Sequence, residues 1–248
     1  MMAVRQATAS ASVAWGSEQT TALEQGLHEL GLDPTSDQKA TLRRYGELLL
    51  KWNRTYNLLG ATTAGVLLEE HLLDSLAVLP ALTPWLPQAR SVLVDVGTGA
   101  GLPGLVLAIM LPELRIVLVE PVGKKAAFLR QVVANCGLRT VRVLEARIED
   151  ITPGELLPEP TMLPHFICRA FTSLDRFADL CAPRLQEASL LFAMKAAKVQ
   201  QEVEQLDSSF EVLAVEPLRT IEKDIQRNLV VMRSRKSRPD SDSTWPAR

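Results

Sequence analysis

Val92-Leu93-Val94-Asp95-Val96-Gly97-Thr98-Gly99-Ala100-Gly101-Leu102-Pro103-Gly104 decides the fold: an apolar run carrying one acid breaks into four glycines within eight residues. The run is short enough for a buried strand, and the segment after it, Leu105 to Leu111, reads as a helix ended by Pro112. Glycines between a strand and a helix permit a tight turn and let a ligand come close to the backbone. An ordinary glycine-rich turn is the plain alternative, but four glycines here exceed what a turn requires.

Two ligand classes compete for such a loop. Gly99 to Gly104 is a formal GxGxxG, and Glu120 follows Gly101 by 19 residues, a spacing suited to a ribose contact in a dinucleotide site. Asp95 points the other way. A carboxylate two residues before the first glycine repels a pyrophosphate and suits a cation. With unit charges ~4 Å apart and an effective dielectric of ~20, the difference is roughly 4 kcal/mol. S-adenosylmethionine carries an ammonium, a sulfonium and a ribose, and no phosphate. Asp95 near the cationic methionine end, Gly97, Gly99 and Gly101 for backbone approach, and Glu120 for the ribose make one coherent site.

Strands and helices alternate outward from this loop. Arg115 to Val119 is a second strand, Lys124 to Asn135 a helix with Gly137 after it, and Val141 to Leu144 a third strand. A proline-rich loop with Pro153, Pro158, Pro160 and Pro164 precedes a fourth strand, Phe166 to Cys168. A helix from Leu174 to Cys181, a strand from Leu190 to Met194 and a helix from Val199 to Leu206 follow. Phe210 to Val215 and Leu229 to Met232 read as a closing antiparallel pair. The expected fold is therefore α/β: a Rossmann-like, mostly parallel sheet covered on both faces, with a C-terminal antiparallel hairpin. Upstream, Thr35 with Gln38 fits a capping box, and Leu42, Tyr45, Leu49 and Trp52 share one helical face. Val66 to Leu79 is a second helical stretch. These patterns divide the chain into a flexible arm (1–20), a helical extension (21–88), the α/β domain (89–233) and a disordered basic tail (234–248).

Composition narrows the class. Among 248 residues, 47% are apolar and 23% charged, which excludes disordered and coiled-coil compositions. Apolar runs such as Leu190 to Met194 are far too short to span a bilayer, and no secretory signal is legible at the N-terminus. Cys136, Cys168 and Cys181 have no metal-ligand spacing, so reduced cysteines in a cytoplasmic protein are expected, with no metal. The formal net charge of −2 is unevenly spread: residues 1–40 carry −3, residues 227–238 carry +5. A basic face on a weakly acidic protein is thus permitted. Nothing points to an obligate dimer, and a monomer is expected.

Six motifs in order carry a family resemblance. They are Lys51 to Leu58, His71-Leu72-Leu73-Asp74-Ser75, Asp95 to Gly104, Gly123-Lys124-Lys125 with Phe128-Leu129, Arg169-Ala170-Phe171, and Arg227-Asn228-Leu229-Val230-Val231. Together they resemble the bacterial 16S rRNA guanine-N7 methyltransferases (RsmG, or GidB), over about Leu23 to Arg233. The resemblance implies a class I methyltransferase fold, S-adenosyl-L-methionine as donor, and one guanine of 16S rRNA, free or in the small ribosomal subunit, as acceptor. It implies a donor site of Gly97 and Leu102 in the loop, Glu120, Pro121 and Val122 after the second strand, Ile148 and Glu149 beside the adenine, and Arg169 closing it. Cys168 and Ala196 stand where the family often has Ser or Thr and Gly.

Guanine N7 bears a lone pair and no proton, so its methylation needs no general base, and no catalytic acid or base is expected. What remains is holding an anionic RNA. Arg169 and Lys195, at strand ends, are the leading candidates, with Lys124, Lys125, Arg147 and Arg227 beside them and Arg130, Arg139 and Arg142 nearby. His71, Trp52 and Tyr56 read as packing groups. Two other functions remain open at this point: a dinucleotide-dependent oxidoreductase, and a non-catalytic ribosome-assembly factor on the same fold.

Overall fold

Along the first strand Val92, Val94 and Val96 point to one face of a sheet and Leu93 and Asp95 to the other, and that alternation sorts the core into two layers. The computed structural model describes residues 15–86, 90–157, 159–196, 199–221 and 225–235. Strands β1 (Ser91–Val96), β2 (Arg115–Val119), β3 (Val141–Leu144), β4 (Leu163–Arg169), β5 (Leu191–Ala196), β6 (Phe210–Leu218) and β7 (Arg227–Ser234) form one sheet. Their order is β3-β2-β1-β4-β5-β7-β6. β1 to β5 run parallel, and β7 lies antiparallel between β5 and β6. This is the expected mostly parallel sheet with its antiparallel hairpin. β1 is buried along its whole length, as a strand covered on both faces must be. It pairs with β2 on one side and β4 on the other, so the strand order reverses there, the switch point at whose carboxyl edge a ligand crevice forms in sheets of this kind.

Ten short or medium helices are described: α1 (Ser17–Glu29), α2 (Ser36–Tyr56), α3 (Ala64–Val66), α4 (Asp74–Leu76), α5 (Leu79–Leu82), α6 (Gly104–Met110), α7 (Gly123–Cys136), α8 (Pro153–Leu156), α9 (Leu174–Cys181) and α10 (Val199–Glu204). A π-helical segment, Leu67–Leu73, joins α3 to α4. Leu23, Leu49, Leu72, Leu105 and Phe128 bury against Leu93, Leu118 and Phe192 in one continuous cluster. The N-terminal helices therefore share the core of the sheet face that α6 and α7 cover. On the opposite face Val92, Val94, Phe166 and Leu191 meet Phe177, Cys181 and Val199.

The local signals hold where they are strong. Thr35 Oγ1 accepts from Gln38 N at 3.2 Å while Thr35 N donates to Gln38 Oε1 at 2.9 Å, the expected capping box. The same Gln38 amide donates to the carbonyls of Ile109 and Met110 at the end of α6. Gly137 takes the left-handed conformation that ends α7.

Three boundaries move. α1 begins at Ser17, inside the stretch read as an arm; it has little apolar periodicity, and it forms because Leu23 and Leu27 find a core to join. Residues 1–14 of that arm lie outside the described residues. β7 extends to Ser234, and Arg235 N donates to Ser209 O, both inside the stretch read as a tail; residues 236–248 lie outside the described residues. β4 starts at Leu163, with Pro164 as its second residue, a position near a strand start where a missing N–H is tolerated.

Candidate functional site

The turn after β1 is pinned from several directions at once. Gly97 N and Thr98 N both donate to Val119 O, at 3.0 and 3.1 Å. Asp95 Oδ2 accepts from Thr98 Oγ1 at 2.6 Å and from Gly104 N at 2.8 Å, closing the loop onto the start of α6. Glu120, just past β2, accepts from Gly99 N and from Val122 N, each at 2.9 Å. Tyr45 of α2, fully buried, donates its hydroxyl to Ala100 O at 2.7 Å. The helical extension thus holds the loop directly. Tyr45 was legible only as a core position, since the sequence places no partner 55 residues away.

The glycines divide by task. Gly97, Gly99 and Gly101 all have positive φ, which glycine alone adopts without strain. A Cβ on Gly101 would run into Leu105 and Leu129, and one on Gly97 into the Phe171 ring, so these two serve packing. A Cβ on Gly99 would meet nothing closer than Gly97 O at 4.0 Å, so Gly99 faces open space.

Asp95 differs from its expected role. Its side chain is 0% exposed and lies beneath the loop rather than projecting from it. Burial pushes its carboxyl up to about 6, against the hydrogen bonds from Thr98 and Gly104 and the Arg169 charge, which lower it. Oδ1 has no hydrogen-bond partner among the described residues. The first duty of Asp95 is to shape the turn, and only Oδ1 remains for anything outside it.

The other expected donor residues line the same sheet edge. Leu102 is buried in the loop, Pro121 and Val122 are exposed after β2, and Ile148 and Glu149 follow β3, Ile148 buried and Glu149 exposed. The set fits a donor with an adenosine and a cationic tail: an open backbone surface at Gly99, an acid after the neighbouring strand, and an orphaned carboxylate oxygen below. Among the described residues no group of three or more His, Cys, Asp or Glu could hold a metal.

Arg169 overturns the simplest expectation. It does not project into the crevice. Its guanidinium turns to the helical extension, donating to Asp74 Oδ2 at 3.0 Å, Ser75 Oγ at 3.0 Å, Glu70 O at 2.6 Å and His71 O at 3.4 Å. Arg227 takes the other carboxylate oxygen of Asp74 at 2.9 Å. Three of the six motifs noted in the sequence therefore meet on one carboxylate, a convergence that spacing along the chain could not show. Burial, with the Arg169 charge adding to it, lowers the pKa of His71. A pocket of about 240 Å³ opens beside this network, lined by Glu69, Glu70, His71, Arg169, Ile221 and Arg227 among others.

The expected RNA contacts divide likewise. Lys195 is paired with Glu202 at 2.7 Å and donates to Thr172 O, tying β5 to α10 and the start of α9. Both side chains are half-buried, and the Lys195 ammonium is already committed to an acid and a main-chain carbonyl rather than free for a phosphate. Arg227 is similarly committed to Asp74. Lys124 is exposed but donates to Tyr56 O at 2.9 Å, whereas Lys125 is half-buried and Arg147 exposed.

Comparison with known proteins agrees with this geometry. The model of the GidB family, rRNA small subunit methyltransferase G, matches residues 38–230. The ribosomal RNA small subunit methyltransferase G of Azoarcus sp. (strain BH72) is 40% identical over 210 residues, covering 85% of this chain and 94% of that protein. Its counterpart from Polynucleobacter asymbioticus is 35% identical over 208 residues, 84% of this chain and 92% of that protein. Among solved structures, a mutant MtNAS in complex with S-adenosylmethionine shares the fold with a TM-score of 0.51 at 14% identity, over 88% of this chain and 80% of that one. With a match running from the first turn of α2 into β7, the chain belongs to the GidB family of rRNA small subunit methyltransferases G.

Proposed function

We propose that this protein transfers a methyl group from S-adenosyl-L-methionine to N7 of a guanine in 16S rRNA. The observation that carries the reading is the pinned glycine loop at the β1/β4 switch point, with Gly99 open and Glu120 beside it, in a chain of this family. The donor supplies a methyl group already activated on a sulfonium. The chain's part is to hold and orient. Gly99 offers backbone at close range, and Glu120, whose two oxygens each already accept one amide, retains lone pairs for ribose hydroxyls. With the donor bound, Val122, Ile148 and Glu149 would hold its adenine side, and Asp95 Oδ1, which has no hydrogen-bond partner among the described residues, would offer negative charge to its cationic end. N7 needs no deprotonation, so alignment of acceptor, methyl and sulfur is the catalytic contribution.

Neither alternative gains support: the oxidoreductase reading rested on the GxGxxG and on a Glu120 spacing that serves a methyl donor's ribose equally, and a non-catalytic role leaves the open face of Gly99 unexplained. No described helix is long and apolar enough to cross a membrane. A cytoplasmic monomer acting on 16S rRNA or the small subunit completes the proposal. Incubation with methyl-labelled donor and under-methylated small ribosomal subunits tests it, with the labelled base identified after digestion. Label in 7-methylguanine of 16S rRNA is expected; donor binding with no label in RNA sinks the reading.

A further inference from the structure

We propose that Phe171 is the aromatic face on which the acceptor guanine stacks during transfer. The inference rests on the donor and acceptor assigned above. Aromatic residues are only 5% of the chain. Among the described residues two of them, Tyr56 and Phe171, are exposed. The Tyr56 ring packs on Trp52, with centroids 5.0 Å apart, and Trp52 packs in turn on Phe128. Phe171 sits instead at the ligand edge of the sheet. Its Cδ2 and Cε2 are the atoms that a Cβ on Gly97 would strike, so the ring lies over the first glycine of the donor loop.

The backbone goes to some length to put it there. Ala170, just before it, has a φ of +49°, a left-handed conformation that costs an alanine energy and persists only when its surroundings enforce it. The enforcement is visible: Arg169, the residue before that, is anchored to the helical extension at Asp74, Ser75 and two main-chain carbonyls. A strained turn held by a largely buried ion pair, presenting a phenylalanine that stays 37% exposed, is a poor way to build a core. It is a good way to hold a π-face beside a donor site.

The chemistry supplies the need. Enzymes that modify a single base commonly draw it out of its stack, and an aromatic side chain then replaces the stacking neighbour it loses. The N7 lone pair lies in the plane of the ring. Stacking fixes that plane, and with it the two rotations that decide whether the lone pair points along the methyl–sulfur axis. Phe171 is a positioning residue that touches substrate, and no proton or bond is assigned to it.

The test compares Phe171→Leu, which keeps apolar volume and loses the π-face, with Phe171→Tyr, which keeps both. Methyl transfer to under-methylated small subunits is measured at saturating donor and subunit, with donor affinity by calorimetry and the thermal midpoint of each variant. Leucine is expected to lower turnover about 10- to 100-fold, the range of one base–aromatic stack, while donor affinity stays within about 2-fold and tyrosine restores most of the rate. Full turnover in the leucine variant overturns the proposal. So does a parallel loss of donor affinity, which makes Phe171 part of the donor loop, or a lowered midpoint with no rescue by tyrosine, which makes the ring structural. If the wild-type protein labels no guanine, the functional reading itself fails and the proposal with it.

Discussion

Asp95 and His165 are buried titratable groups with opposite acid behaviour. Asp95 is raised from 3.8 to about 6, so its contribution to stability is full below about pH 4 and is lost as pH rises through 6. Burial lowers His165 from 6.5 to about 4, and its Nδ1 accepts from Leu190 N, so its contribution is full above pH 6.5 and is lost as pH falls through 4. Between those limits the two offset each other. Asp95→Asn removes one side, and its thermal midpoint is expected to fall more steeply than the wild type's as pH drops from 6.5 to 4; parallel curves would contradict this. At pH 7 the same variant is expected to bind donor at least ~10-fold more weakly, as loss of one charge contact implies. Wild-type affinity should climb from pH 5 to 7 while the variant's stays flat, by calorimetry. The glycines give a second pair. Gly99→Ala is expected to keep the fold at a cost of about 1 kcal/mol for its positive φ and to lose donor binding. Gly101→Ala must displace Leu105 and Leu129 and is expected to lower the thermal midpoint further. Normal donor binding by Gly99→Ala would remove the loop from the donor site.

At the level of elements, the extension is joined to the sheet by polar contacts as well as by leucines. Asp74 in α4 holds Arg169 of β4 and Arg227 of β7, and all three side chains are largely withdrawn from water. Removing one partner of such a group costs more than the pair contributes, because the remaining charge stays buried. Arg169→Ala is therefore expected to lose about 3 kcal/mol in denaturant unfolding. Arg169→Lys should recover part of it, since an ammonium cannot match a planar fork. A change under about 1 kcal/mol would show that the network is not holding the turn. Adding Asp74→Ala to Arg169→Ala should cost less than the sum of the two single changes, which reports their coupling directly. From its place at a strand end, Arg169 is expected to face donor or RNA. The structure makes it a fastener between layers.

For the whole molecule, RNA must be held despite a net charge of −2. Three of the six expected RNA-facing cations, Arg169, Lys195 and Arg227, are paired inside the protein. Lys124, Lys125 and Arg147 remain, on α7 and after β3 beside the donor loop. Affinity for 16S rRNA should weaken with salt by about 0.7 log units per log unit of salt for each phosphate contacted. A Lys124→Ala, Lys125→Ala, Arg147→Ala protein is expected to reduce that slope by about 1 to 2 with the fold intact. An unchanged slope in filter binding would move the RNA path elsewhere on the surface.

The sheet, its loop and its helices were legible because their signals are local. Apolar runs of strand length, glycines where φ turns positive, the Thr35 and Gln38 cap and Gly137 after α7 all act within a few residues. Their physics is written in consecutive positions. Long-range partners are not. Nothing near Tyr45 announces Ala100, and nothing near Arg169 announces Asp74, 95 residues away. α1, weak in periodicity, forms because a core is waiting for Leu23 and Leu27. The chain's own order of residues determined which loop could cradle a ligand and which side of the sheet it occupies. Only the packed structure decided which charges stay available, because a cation's partner depends on what folding brings within 3 Å and on how little water is left around it.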